Sequence, residues 1–106
     1  MNVPDVLNGI KIPKKDLIKY CKKRHIKKMA LFGSLLNKNF STNSDIDILV
    51  EFEIEHIPSL FNLIKMEDEL SSYFMGHKVD LRTPNDLSKY FRNRVIKNAV
   101  VLYAGS

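Results

Sequence analysis

Residues 44–52 read Ser-Asp-Ile-Asp-Ile-Leu-Val-Glu-Phe (SDIDILVEF), and their alternation decides the fold. In a strand, successive side chains point to opposite faces of the sheet. Ile46, Ile48, Val50 and Phe52 then share one face and can pack on a layer of helices, while Asp45 and Asp47 share the other with Leu49, Glu51 and Glu53. Two carboxylates two residues apart on one face project into the same small volume, where each disfavours ionisation of the other. A hard divalent cation resolves that conflict, and magnesium takes one or two carboxylates together with substrate phosphates. Asp45-Ile46-Asp47 therefore reads as half of a metal site that a nucleoside triphosphate completes.

The flanking sequence fits. Residues 28–32 (KMALF) form a short apolar strand, and Gly33-Ser34 follows as a turn into a brief helical segment around Leu35 and Leu36. Glycine lets a phosphate approach the backbone closely. N–H groups at the start of a helix point toward a bound anion, and Ser34 adds a hydroxyl donor. The ten residues 35–44 separate Ser34 from Asp45, enough for a helical turn and a polar return loop over 38–43. A third carboxylate, Asp80, lies in a strand over 78–81 (KVDL) that can pair beside the Asp45 strand. Three acids around two metal ions about 3.5–4 Å apart are the arrangement that drives in-line phosphoryl or nucleotidyl displacement. Alone, each piece is commonplace; the order and register of all three give them meaning.

The rest of the chain supplies a small frame. Pro13 opens an amphipathic helix to about His25, with Leu17, Ile18 and Cys21 on one face and Lys14, Lys15, Lys22 and Lys23 mostly on the other. A second helix is expected over 58–74, stopped by Gly76. A third starts at Thr83 as N-cap with Pro84 as first helical residue and runs to about Asn98; residues 99–103 (AVVLY) close the chain as a strand. At 106 residues the chain reads as a single domain, 1–106, with 1–12 as an N-terminal arm. So short a chain has no room for a separate substrate domain, so a larger acceptor must come from a partner. The 44% hydrophobic and 27% charged residues fit a folded domain and argue against disorder. One cysteine excludes an internal disulfide framework and a four-cysteine zinc site. No apolar run approaches a membrane span and the N-terminus lacks the layout of a signal peptide, so the expected compartment is the cytosol.

The formal charge of +5 is concentrated near the N-terminus: residues 11–28 hold nine Lys/Arg and one acid, Asp16, and residues 29–106 hold eight Lys/Arg and ten acids. The basic stretch carries one interleaved aromatic, Tyr20, and reads as a solvated helix face, so nucleic acid is not an expected partner. His25, His56 and His77 show no metal-ligand spacing. Cys21 reads as packed and inert, and Arg82, two residues after Asp80, is in reach of a phosphate.

Leu31-Phe32-Gly33-Ser34, ten intervening residues, Asp45-Ile46-Asp47-Ile48-Leu49-Val50 and then Val79-Asp80-Leu81 resemble the minimal nucleotidyltransferases, the smallest branch of the DNA polymerase β-like nucleotidyltransferase superfamily. The resemblance runs from about Pro13 to Tyr103 and includes Pro84-Asn85-Asp86-Leu87 and Val100-Val101-Leu102-Tyr103. It implies a polymerase β-like α/β (α+β) fold, a small mixed sheet flanked by helices. It further implies an antitoxin that transfers AMP from ATP to a tyrosine of a HEPN-domain RNase toxin. Carried over residue by residue, Gly33 and Ser34 hold the ATP phosphates. Asp45 and Asp47 bind Mg2+, two ions being expected, and Asp80 completes the metal site and helps activate the tyrosine hydroxyl. Two other readings are transfer of a nucleotide to a small molecule and a binding-only antitoxin that masks its toxin without catalysis. Homo- or hetero-association is expected of so small a domain.

Overall fold

In a computed structural model, residues 3–38, 40–41 and 43–105 are described. Met1 and Asn2 of the expected arm, Asn39 and Thr42 of the expected polar loop, and Ser106 lie outside the described residues. The arm is not featureless. Val6–Leu7 (β1) and Ile10–Lys11 (β2) pair antiparallel through a two-residue turn, Asn8-Gly9. Both turn residues have positive φ, +48° and +81°. That is the pattern of the hairpin turn for which Asn-Gly is the strongest sequence signal. Val3 and Ile12, on either side of the hairpin, are buried and tack it to the core.

Helix α1 spans Lys14–Lys23. Leu17, Tyr20 and Cys21 fill its buried face, the i, i+3, i+4 spacing of an amphipathic helix. Ile18, expected on that face, is only half-buried, and Tyr20 takes the place. The Tyr20 hydroxyl donates to Glu69 at 2.8 Å, and Arg24 pairs with the same carboxylate. His25, at φ +58°, turns the chain into β3 (Ile26–Phe32), which starts two residues before the expected strand. A single 3-10 turn follows over Gly33–Leu36, then β4 (Ile46–Phe52).

Helix α2 (Leu60–Tyr73) opens at Ser59, whose hydroxyl accepts from the Asn62 N–H at 3.2 Å, an N-cap that satisfies one of the free amides. Past its end, Met75 and Gly76 both take positive φ, and the Gly76 N–H returns to the Ser71 carbonyl. Strand β5 (Val79–Arg82) then lies parallel to β4, with α2 as the crossover that parallel pairing requires.

The helix expected from Thr83 to Asn98 is broken. Pro84–Asp86 form one 3-10 turn, Leu87 is extended, and α3 starts anew at Lys89–Asn98. The local side chains explain the break. The Asp86 carboxylate accepts from both the N–H and hydroxyl of Thr83 at 3.0 Å, and Ser88 caps the second start through the Tyr90 N–H. Such bonds offer the backbone an alternative to helix. Arg92 then donates to the Leu87 carbonyl and to the Pro84 carbonyl, which also accepts the Leu87 N–H that closes the turn. Strand β6 (Val100–Ala104) ends the fold.

The main sheet has the order β5-β4-β3-β6, with β3 antiparallel to both β4 and β6. This is the small mixed sheet with helices that the resemblance implied. Ile46, Ile48 and Val50 are fully buried with Met29, Leu31, Leu17, Leu70 and Phe74, so the alternation in residues 44–52 does set the core face. Phe52, at the strand end, is half-buried. Among the described residues, no helix is long and apolar enough to cross a membrane.

Candidate active site

The face of β4 opposite the core carries Asp47. Its register neighbours are Phe32 on β3 and Asp80 on β5. In a parallel pair, residues in register place their side chains on the same face, so the pairing sets two carboxylates side by side. Asp45 falls on the approach to β4, one residue before the strand begins, and not within it as the alternation suggested. Its carboxylate still acts on Asp47. Burial, and then the charges of Asp80 and Asp45, push the Asp47 carboxyl up to about 6 from an ordinary value of 3.8. The Ser34 amide, hydrogen-bonded to Asp47, and the Arg82 charge pull the other way. Asp80, in register with Asp47, and Asp45 thus both act on the Asp47 carboxylate, and their charges disfavour its ionisation.

Gly33 closes the site from the β3 side. Its φ is +76°, and a Cβ there would lie 2.2 Å from Asp47 Oδ2 and 3.0 Å from its Cγ. The sequence suggested that a missing side chain at 33 makes room for a phosphate; the room is taken by the Asp47 carboxylate. The following segment is one 3-10 turn of four residues, too short for a helix dipole of any size. What it offers an anion is the Ser34 hydroxyl and individual amides.

Two cations attend the acids. Arg82 Nε donates to both Asp80 oxygens, at 3.1 and 3.2 Å, and Lys78 Nζ stands 4.0 Å from Asp45 Oδ2. Sequence reasoning passes over Lys78, whose only signal is a basic residue at the start of the Asp80 strand. It passes over Glu67 on α2 as well. Glu67 accepts the Leu81 N–H at 2.8 Å, which occupies a donor on the exposed edge of β5 and steadies the strand bearing Asp80.

Among the described residues, no group of three or more His, Cys, Asp or Glu side chains is placed to hold a metal ion. The donor set nonetheless suits magnesium, a hard cation that binds through one or two carboxylates and fills its shell with phosphate and water. A half-buried carboxylate raised by two like charges is a place where such a cation is favoured.

His25 and His56 lie away from this end. The rings of His25 and His56, far apart in sequence, stack at 3.6 Å with 7° between their planes, and Glu53 lies 3.5 Å from His25. They line a groove of about 490 Å³ with Lys23, Arg24 and Lys65, beside the Ile26 and Phe52 ends of β3 and β4 and so at the opposite end of these strands from Gly33 and Asp47. His77 lies near Phe40 and just before Lys78, whose carbonyl accepts the Ile46 N–H at the start of β4. Cys21 is buried, and desolvation pushes its thiol up to about 12, so it is an inert packing residue.

Comparison with known proteins follows the geometry. Residues 15–106 match the family model described as "Polymerase beta, Nucleotidyltransferase". The protein named "Putative protein adenylyltransferase MJ0435" of Methanocaldococcus jannaschii is 33% identical over 87 residues, covering 82% of this chain and 90% of that protein. "Protein adenylyltransferase MntA" of Thermococcus cleftensis is 33% identical over 75 residues, covering 71% of this chain and 73% of that protein. Among solved structures, a toxin–antitoxin crystal structure with AMP-PNP superposes with a TM-score of 0.71 at 22% identity, covering 90% of this chain and 76% of that one. At that identity the likeness speaks to the fold.

Proposed function

The chain belongs to the polymerase beta nucleotidyltransferase family, and from that membership we propose that it is a Mg2+-dependent antitoxin transferring AMP from ATP to a tyrosine hydroxyl of a HEPN-domain RNase toxin. The observation that carries this reading is the in-register pair Asp47 and Asp80, joined by Asp45 under the Gly33-Ser34 turn. Relatives named as protein adenylyltransferases support a protein acceptor. A structural neighbour that is a toxin–antitoxin crystallised with AMP-PNP is consistent with ATP and a toxin partner.

In this reading Asp45, Asp47 and Asp80 hold the divalent cations. Bound there, the cations neutralise the triphosphate and lower the cost of charge developing on the leaving group. The chain's own groups do the rest. The Ser34 hydroxyl and backbone amides of its turn hold phosphate oxygens. Arg82 leaves Asp80 for the triphosphate, and the released Asp80 carboxylate takes the proton of the acceptor hydroxyl. The tyrosine oxygen then forms its bond to the α-phosphorus as the bond to pyrophosphate breaks. Asp45 and Asp47 lie at the start of β4, and Asp80 lies beside them on β5, the edge strand of the sheet.

Incubation of the protein, ATP and magnesium with the product of the neighbouring gene is expected to add whole adenylyl groups to that product, as read by intact mass, with the modified peptide containing tyrosine. Label found only on a small molecule would replace the acceptor. Neutralisation that survives Asp45→Asn and Asp47→Asn, with no mass change in the partner, would replace catalysis by masking.

A further inference from the structure

Asn8 is the first residue of the β1–β2 turn, and its side chain reaches across the fold. Its terminal amide has two N–H bonds and both are used: Nδ2 donates to the Leu35 carbonyl at 2.8 Å and to the Asn37 carbonyl at 2.6 Å. Both acceptors belong to the turn that begins at Gly33 or to the residue that closes it, where the Asn37 N–H returns to the Ser34 carbonyl at 3.0 Å. Carbonyls at the end of a helical turn lack partners within it. Here a side chain 27 and 29 residues earlier supplies them. The start of the same turn is tied to the acids through the Ser34 amide on Asp47.

We infer that Asn8 is a positioning residue for nucleotide binding: the hairpin tip clamps the far end of the Gly33–Leu36 turn and so fixes where Ser34 faces. The inference rests on the proposed role of Ser34. The chemistry of the side chain makes it separable from the fold. Asn, Asp and Gly all tolerate the positive φ at position 8, and Asp-Gly or Gly-Gly forms the same hairpin turn as Asn-Gly. Asn8→Asp therefore keeps the turn while replacing two donors by acceptors that face two carbonyl oxygens. Asn8→Gly keeps the turn and removes the clamp.

Two readings test this. The first is hydrogen exchange of the nucleotide-free protein, resolved to residues 33–37 and to the β3–β4 ladder. The second is the affinity for a non-hydrolysable ATP analogue with magnesium. Both variants should speed exchange at the Asn37 amide and leave the ladder unchanged. They should weaken analogue binding about three- to tenfold, as expected for two partly solvated hydrogen bonds, with Asn8→Asp at least as weak as Asn8→Gly. Unchanged exchange, or faster exchange with unchanged analogue affinity, would overturn the positioning role, as would exchange raised uniformly through the ladder. Faster local exchange in variants of a wild type that binds no analogue would uphold the clamp and sink the ATP reading instead.

Discussion

Asp47→Asn is expected to melt above the wild type at pH 7 without metal and to lose about 10³-fold in AMP transfer, the scale of losing one charge-stabilising group. Both effects have one cause. The Asp47 carboxyl is raised to about 6 by burial and by Asp80 and Asp45, so ionising it at neutral pH works against folding. The sign follows from proton counts. Between about pH 4 and 6 the folded state binds more protons at this site than the unfolded state, so wild-type stability falls as pH rises through that window. A shift from 3.8 to about 6 corresponds to about 3 kcal/mol at full strength, and partial exposure reduces it to about 1–2 kcal/mol. Asparagine keeps an oxygen for the Ser34 amide and carries no charge. Melts in EDTA across pH 4–8 should show the two proteins together near pH 4 and the variant several degrees higher above pH 6, at roughly 4–8 °C per kcal/mol. A variant less stable at every pH would mean that Asp47 is not strained. In the proposed reading, a bound cation and polyphosphate relieve the site's instability.

Gly33→Ala should be the second most damaging change. A β-carbon at φ +76° costs about 1–2 kcal/mol on backbone grounds alone. The larger effect is on Asp47, because the new methyl would occupy the place of its Oδ2 and crowd its Cγ and Cβ. The carboxylate must swing away from the Ser34 amide and from Asp80. The variant should remain folded by circular dichroism, with AMP transfer reduced at least about 10²-fold, since small misplacements of reacting groups have that effect. A double-mutant cycle isolates the clash: in an Asp47→Ala background, which removes Oδ2 and Cγ but keeps the Cβ 3.2 Å from the new methyl, Gly33→Ala should cost little more than the backbone share, giving a measurable coupling between the two positions. Independent, additive effects would mean that Gly33 serves the turn alone.

The most informative part of the fold was written in residues 44–52, whose period of two separates Ile46, Ile48 and Val50 from Asp47. That pattern is local, and it survives in the structure because one face must be buried and the other must not. The Asn8-Gly9 hairpin signal was equally local but was hidden by strands of two residues each, too short to show alternation. The break at Leu87 depends on which side chain captures which amide, a competition that helix periodicity does not register. The register of Asp47 against Asp80 and the stacking of His25 on His56 are products of the α2 crossover and of chain reversals, and no spacing rule contains them. The identity of the acids was therefore legible before their geometry. Arg82 was placed in reach of a phosphate by its spacing from Asp80, but its pairing with Asp80 and the place of Lys78 beside Asp45 appear only with that geometry.

A calorimetric titration of a non-hydrolysable ATP analogue tests the central claim most directly, run with magnesium and with EDTA, into the wild type and into the Asp45→Asn/Asp47→Asn protein. Saturable binding is expected for the wild type with magnesium, and heats indistinguishable from dilution for the double variant and for either protein in EDTA. Equal affinity in the variant, or in the wild type stripped of metal, would contradict the assignment of these carboxylates to a cation–triphosphate site.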